Sequence, residues 1–186
     1  VTNASVDPGV SIKKTGPSEV MPDQPIRYTF SQIGNTSNIA LDSFYWRDTL
    51  PAQVTVNRLV TGTYNQAQNY KIVYKVNGAG AYRTLADNLS TTKNYVLDMR
   101  PAVIGLAANE RVTEIMFVFG TVPAGFAQVE TPVLYGTVCG GLSNGTNLVN
   151  SADVGGLYSG QWVQAVSRWL TTVYAKMTMT LPKTGY

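Results

Sequence analysis

Ile26, Tyr28 and Phe30 alternate with Arg27, Thr29 and Ser31, and Phe44, Trp46 and Asp48 alternate with Tyr45 and Arg47. Period two is the spacing of side chains along one face of a β-strand, so each run has an inward face and an outward one. The habit returns in "QVTVNRLV", "NYKIVYKV", "AYRTLA", "NYVLDM", "TEIMFVFG", "PVLYGTV", "NLVNSADV" and "SRWLTTVYAKMTMTL", where Trp169, Val173, Ala175, Met177 and Met179 keep the alternation. Turn-forming segments separate the runs: "MPDQP" precedes the first, and Pro51 marks the end of the second because proline cannot donate to a strand ladder. Roughly nine to eleven strands at hairpin spacing predict an all-β fold, an antiparallel β-sandwich of jelly-roll or immunoglobulin-like character. Helical content is confined to "MRPAVIGLAANERV", which Pro101 and Gly105 keep short. No repeat or low-complexity linker interrupts the pattern. Residues 1–9 read as a lead-in or inter-domain linker, 10–180 as one sandwich domain, and 181–186 as a terminal motif or exit linker.

A chain of 186 residues is long enough to bury a substantial core. Only 13% of residues are charged and the net charge of +3 is scattered, so nothing forms a nucleic-acid patch. No stretch has the length of a membrane span. There is one cysteine, Cys139, and no histidine, which excludes an internal disulfide and removes the commonest general base and metal ligand. No cofactor or metal is expected. Val1 opens directly into what reads as mature extracellular protein, with no signal peptide in view.

The first strand raises the chemical question. In "SIKKTG", Val10, Ile12 and Lys14 share one face while Ser11 and Lys13 share the other, so a lysine follows two apolar residues inward. Two readings stand at this point: Lys14 snorkels to water along apolar surface, or its amine is buried. Asp48 shares a face with Phe44 and Trp46, which takes a carboxyl group into aromatic surroundings as well. Burial drives a lysine toward neutral amine and an aspartate toward neutral acid. A neutral amine is a nucleophile, and a protonated carboxyl polarises a carboxamide carbonyl. Beside an asparagine, such a pair expels ammonia and leaves an amide between two side chains.

"KKTGPSEVMPDQPIRYTF", "WRDTLPAQVTV" and "NLVNSADVGGLYSG" together resemble the first-strand, D-T-L-P and late-strand Asn motifs of isopeptide-forming domains in Gram-positive surface proteins. The resemblance is to the collagen-adhesin A-region type, related to tandem stalk repeats and pilins, and is weak through residues 60 to 110. It implies that Lys14 is the bond-forming lysine, Asp48 the catalytic acid and Asn150 the acceptor, with Asn147 as the fallback acceptor. An ordinary turn or ladder asparagine remains the other reading of Asn150.

"LPKTG", formed by Leu181, Pro182, Lys183, Thr184 and Gly185, matches the pentapeptide that sortases cleave between Thr and Gly. No apolar segment and basic tail follow within the sequence, so both a cleaved sorting signal and a linker to another domain are open. The expected partners are a sortase and neighbouring domains of one surface protein or pilus; neither nucleic acid nor direct membrane insertion is expected. The expected location is extracellular and anchored to a Gram-positive cell wall. Cys139 in "GTVCGG" does not resemble a thioester adhesin site and reads as a small residue packed in a strand. Tyr64, Tyr70, Tyr82 and Tyr158 read as exposed aromatics, to which no ligand is assigned. Three function classes follow: a structural or adhesive surface module with an internal covalent tie, a carbohydrate- or protein-binding sandwich with a merely polar cluster, and an enzyme. The last is disfavoured because no paired carboxylates suit a glycosidase.

Overall fold

The computed structural model of the protein describes residues 5–175. Its strands are β1 (Val10–Thr15), β2 (Glu19–Val20), β3 (Pro25–Asn35), β4 (Leu41–Thr49), β5 (Val54–Val60), β6 (Asn69–Val76), β7 (Ala79–Ser90), β8 (Val96–Asp98), β9 (Val112–Val122), β10 (Val133–Val138), β11 (Asn147–Tyr158) and β12 (Gln161–Val173). One sheet is ordered β1-β3-β10-β5-β8 and the other β2-β12-β11-β4-β9-β6-β7. Named strands pair antiparallel, except that β2 joins the end of β12 in parallel. The two sheets form a β-sandwich.

The alternation read from sequence is what closes it. Ile26, Tyr28 and Phe30 of β3 point at Phe44 and Trp46 of β4, at Ile115 and Phe117 of β9, and at Leu148, Ala152 and Val154 of β11, and all are buried. Trp46 stacks on Phe117 with ring centroids 4.1 Å apart and tilts against Phe30 at 4.8 Å. Two hairpins turn on Asn77–Gly78 and Ser159–Gly160, with φ of 52° and 65° and of 47° and 73°. Positive φ at both turn residues gives the twist that continues a right-handed strand pair, and Gly carries it without steric cost.

The molecule has more strands than the alternation predicts. β2 is two residues long and pairs only with Thr172 and Val173, too short to leave a periodic signal. β7 runs well beyond "AYRTLA", and β12 begins at Gln161 rather than near Ser167. The helical segment reduces to α1 (Pro101–Ile104), opened by a proline at its first turn and ended by left-handed Gly105. Among the described residues no helix is long and apolar enough to cross a membrane. Met177, Met179 and the whole of "LPKTG" lie outside the described residues.

Two expectations are corrected. Tyr64 and Tyr70 are buried, not exposed, in a cluster with Phe119 and Phe126, while Tyr82 and Tyr158 are half-buried. Trp46 Nε1 donates to the Tyr64 hydroxyl at 3.0 Å, which is how a phenol is accommodated inside. Cys139 lies just past the end of β10 and is exposed rather than packed in a strand.

β1 sits at the edge of its sheet and crosses beside β12 of the other, where the Lys14 backbone N–H donates to Ser167 Oγ at 2.9 Å. Residues 5–9 are held on the β3–β4 connection: Thr36 N–H donates to Gly9 O, and Asp7 N–H to Asn38 Oδ1. The first strand is thereby aligned against the last two.

Candidate functional site

Opposite Ile12, β3 carries one extra residue in its Gln32–Ile33 stretch, after which the ladder resumes with Lys14 opposite Phe30 and Thr15 opposite Thr29. Phe30 faces the core, so its cross-strand neighbour Lys14 does too, and Lys13 is exposed on the other face. On the facing sheet, Asp48 ends the inward row of β4 and pairs with Ala152 of β11. Asn150, two residues before Ala152, shares its inward face. Three polar side chains from three strands therefore meet between the sheets. Lys14 Nζ donates to Asp48 Oδ1 at 2.8 Å, and Asn150 Nδ2 donates to Asp48 Oδ2 at 3.1 Å. The side chains of Lys14 and Asp48 are 0% and 2% exposed, which removes the snorkelling reading of Lys14. Asn147 is exposed at the start of β11 with the opposite parity, and it is not part of the cluster.

Aromatic side chains wall the site. The Lys14 ammonium position lies 4.1 Å from the Tyr28 ring centroid and 4.2 Å from that of Phe30. Gly16, just after β1, lets Tyr28 and Trp169 close over this end: a Cβ there would meet Tyr28 Cδ1 at 2.9 Å and Trp169 Cδ1 at 3.0 Å. The turn is fixed by Trp169 Nε1 and Thr171 Oγ1, which both donate to Pro17 O at 2.8 Å.

Electrostatics follow from the dryness of the pocket. Burial lowers the Lys14 pKa to about 8 although Asp48 and its hydrogen bond work the other way. Burial likewise raises Asp48, against the pull of Lys14 and Asn150. Both shifts run toward neutral partners, because loss of hydration outweighs the attraction of the pair. Neutral amine and neutral acid beside a carboxamide are the reactants for amide formation, and no other group is required. Among the described residues no cluster of three or more His, Cys, Asp or Glu side chains is arranged to hold a metal.

Tyr28 is the member of this site that the alternation reads only as core. Its hydroxyl is buried and has no hydrogen-bond partner among the described residues, and the same is true of Asn150 Oδ1. Burial, and then the Asp48 charge, hold the Tyr28 hydroxyl above the ordinary phenol pKa, while adjacent Asn150 and Thr171 pull the other way.

No protein-family model matches the chain, and no curated protein sequence matches it. Among solved structures it is similar to a collagen-binding domain from a Staphylococcus aureus adhesin, at 12% identity and a TM-score of 0.39 over 88% of this chain and 96% of that one. A cohesin module of a Clostridium perfringens family 33 glycoside hydrolase gives 10% identity and a TM-score of 0.44 over 92% and 100%. AggA, the major subunit of an Escherichia coli aggregative adherence fimbria, gives 13% and 0.35 over 95% and 98%. Likenesses at these scores bear on neither ligand nor activity, and the chemistry of the site rests on its own geometry.

Proposed function

We propose that the protein is a structural or adhesive module of a bacterial surface protein or pilus, its sheets joined by an autocatalytic amide bond between Lys14 and Asn150. The observation that carries this reading is the buried chain of contacts from Lys14 through Asp48 to Asn150. Burying a polar trio this deep in an aromatic core costs desolvation that its two hydrogen bonds only partly offset. The terminal "LPKTG" supports surface attachment through a sortase, with cleavage between Thr184 and Gly185.

In the reaction, Asp48 takes a proton from Lys14 across the 2.8 Å contact, giving amine and acid in place of the ion pair. The Asn150 carboxamide turns its oxygen to the protonated Asp48. Lys14 Nζ adds to Asn150 Cγ, and a new N–C bond forms as the carbonyl electrons move to oxygen. Asp48 relays the proton shed by Nζ to Nδ2, the Cγ–Nδ2 bond breaks, and one ammonia leaves. Asp48 keeps the first proton it took from Lys14 and ends as the neutral acid beside a neutral amide. The expected result is an intact mass lower than the sequence mass by one ammonia in the parent and unreduced in Asp48→Ala. A parent of full mass would leave a sandwich with a merely polar cluster, and a lightened Asp48→Ala would assign the acid role elsewhere.

The pH dependence has a definite sign. The ion pair and the reactive neutral pair hold the same number of protons, so interconverting them takes up none from solvent. Below the raised Asp48 value the pair carries one proton more and the amine is blocked. Above about 8 it carries one fewer and the acid is lost. The rate of ammonia loss, followed in newly translated protein quenched in acid, is expected to be bell-shaped with its alkaline limb near pH 8. A rate that climbs steadily to about pH 10 would mean that amine deprotonation alone limits the reaction and that Asp48 gives no proton.

A further inference from the structure

We propose that the Tyr28 hydroxyl is a second hydrogen-bond donor to the Asn150 carbonyl oxygen while the amide forms. The inference rests on the cross-linking reading above and adds a catalytic residue to it. Tyr28 Oη and Asn150 Oδ1 are both buried in the same pocket and neither has a partner among the described residues. Asn150 neighbours the Tyr28 hydroxyl through a group that favours the ionised phenol, which is its N–H donor Nδ2, so turning the carboxamide about Cβ–Cγ brings the orphaned oxygen to the orphaned hydroxyl. The Thr171 hydroxyl gives its own proton to Pro17 O, so it does not donate to Asn150 Oδ1, and the Tyr28 hydroxyl has no partner among the described residues.

The carboxamide now donates Nδ2 to Asp48 Oδ2. Rotating it about Cβ–Cγ exchanges oxygen for nitrogen without moving another atom, and its oxygen then accepts from protonated Asp48. Asp48 alone has two tasks. It must steady the oxygen as Nζ adds, and it must carry the Nζ proton to Nδ2 so that ammonia can leave. While its proton is in transit to nitrogen, the carboxyl cannot also donate to the oxygen, on which the negative charge has just developed. A fixed phenol has no such conflict. Tyr28 keeps its proton throughout, since burial raises its pKa, and it acts in an apolar space where a donor aimed at developing charge is most effective. The balance of the step is unchanged: Tyr28 donates a hydrogen bond, not a proton, and one ammonia is still the only product lost.

The same ring stacks under Lys14, so the test must remove the hydroxyl and keep the ring. Tyr28→Phe does this. In cell-free translation with timed acid quenching and intact-mass readout, its ammonia loss is expected to be roughly 10- to 100-fold slower than the parent's. Melting of Asp48→Ala with and without Tyr28→Phe, both unlinked, separates chemistry from packing, and the two are expected to melt together. Ammonia loss as fast as in the parent overturns the proposal. So does slow loss accompanied by a matching drop in the unlinked melting temperature, which would make Tyr28 a structural residue. A parent that never loses ammonia is a different result, because it removes the cross-link itself and with it any role for Tyr28.

Discussion

Asn150→Ala is expected to melt roughly 10–20 °C below the parent while keeping the same far-ultraviolet β signature. The bond joins residues far apart in sequence, and closing so long a loop penalises the unfolded chain by roughly 5 kcal/mol if loop entropy acts as it does for disulfides. That is comparable to the whole net stability of an ordinary domain. Asn150→Ala isolates this term because Lys14 and Asp48 keep each other as partners. Lys14→Ala is expected to fall further and to be cut faster by trypsin, since it loses the bond and also strips Asp48 of the cation that restrains its pKa. The sign of its pH response follows. A carboxyl whose folded pKa lies above its unfolded value stabilises only while protonated, so Lys14→Ala is expected to lose stability as pH rises from acid through that raised value. An Asn150→Ala protein melting within a few degrees of the parent would show that no covalent bond holds the sheets.

The fold was readable wherever a strand has one wet face and one dry. Ile26, Tyr28 and Phe30, and Phe44, Trp46 and Asp48, carry their orientation in their spacing, and each is buried where parity puts it. Lys14 was readable for the same reason, because the extra residue opposite Ile12 lies in β3 and leaves the alternation of β1 itself intact. Tyr64 and Tyr70 were misplaced because a tyrosine is equally at home at a surface and in a core; what buries them is the packing of Phe119 and Phe126, residues distant in sequence. β2 left no signal because two residues cannot alternate. Tyr28 was legible as core and silent as chemistry. Its hydroxyl acquires meaning only when β11 and β12 bring Asn150 and Thr171 alongside it, a contact across two sheets that no local pattern contains.

Pulled from its two ends, the parent is expected to lengthen by far less than Lys14→Ala in a single-molecule experiment. Force enters the described chain ahead of β1 and leaves after β12. Without the bond, nothing covalent bypasses the strands between them. β1 can shear from β3, β12 can peel from β11, and the remaining pairs then fail in turn until about 170 residues are drawn out, roughly 600 Å of contour. With Lys14 joined to Asn150, the load passes from β1 straight to β11 and everything between those residues is outside the force path. Only the segment before Lys14 and the described residues after Asn150 remain extensible, about 34 residues and roughly 120 Å at full stretch. Part of that slack is itself held, because residues 5–9 are hydrogen-bonded to the β3–β4 connection and β12 is paired to β11 from Gln161 to Thr172. These contacts open one after another and re-form when tension drops, whereas the amide does not yield. A disulfide would serve mechanically, but it needs an oxidant and yields to thiols, and the chain has a single cysteine. An amide built from Lys14 and Asn150 has neither weakness and requires only that the sandwich fold first, since folding is what brings Asp48 between them. A parent that extends to the full contour under load would place Lys14 back among ordinary buried cations.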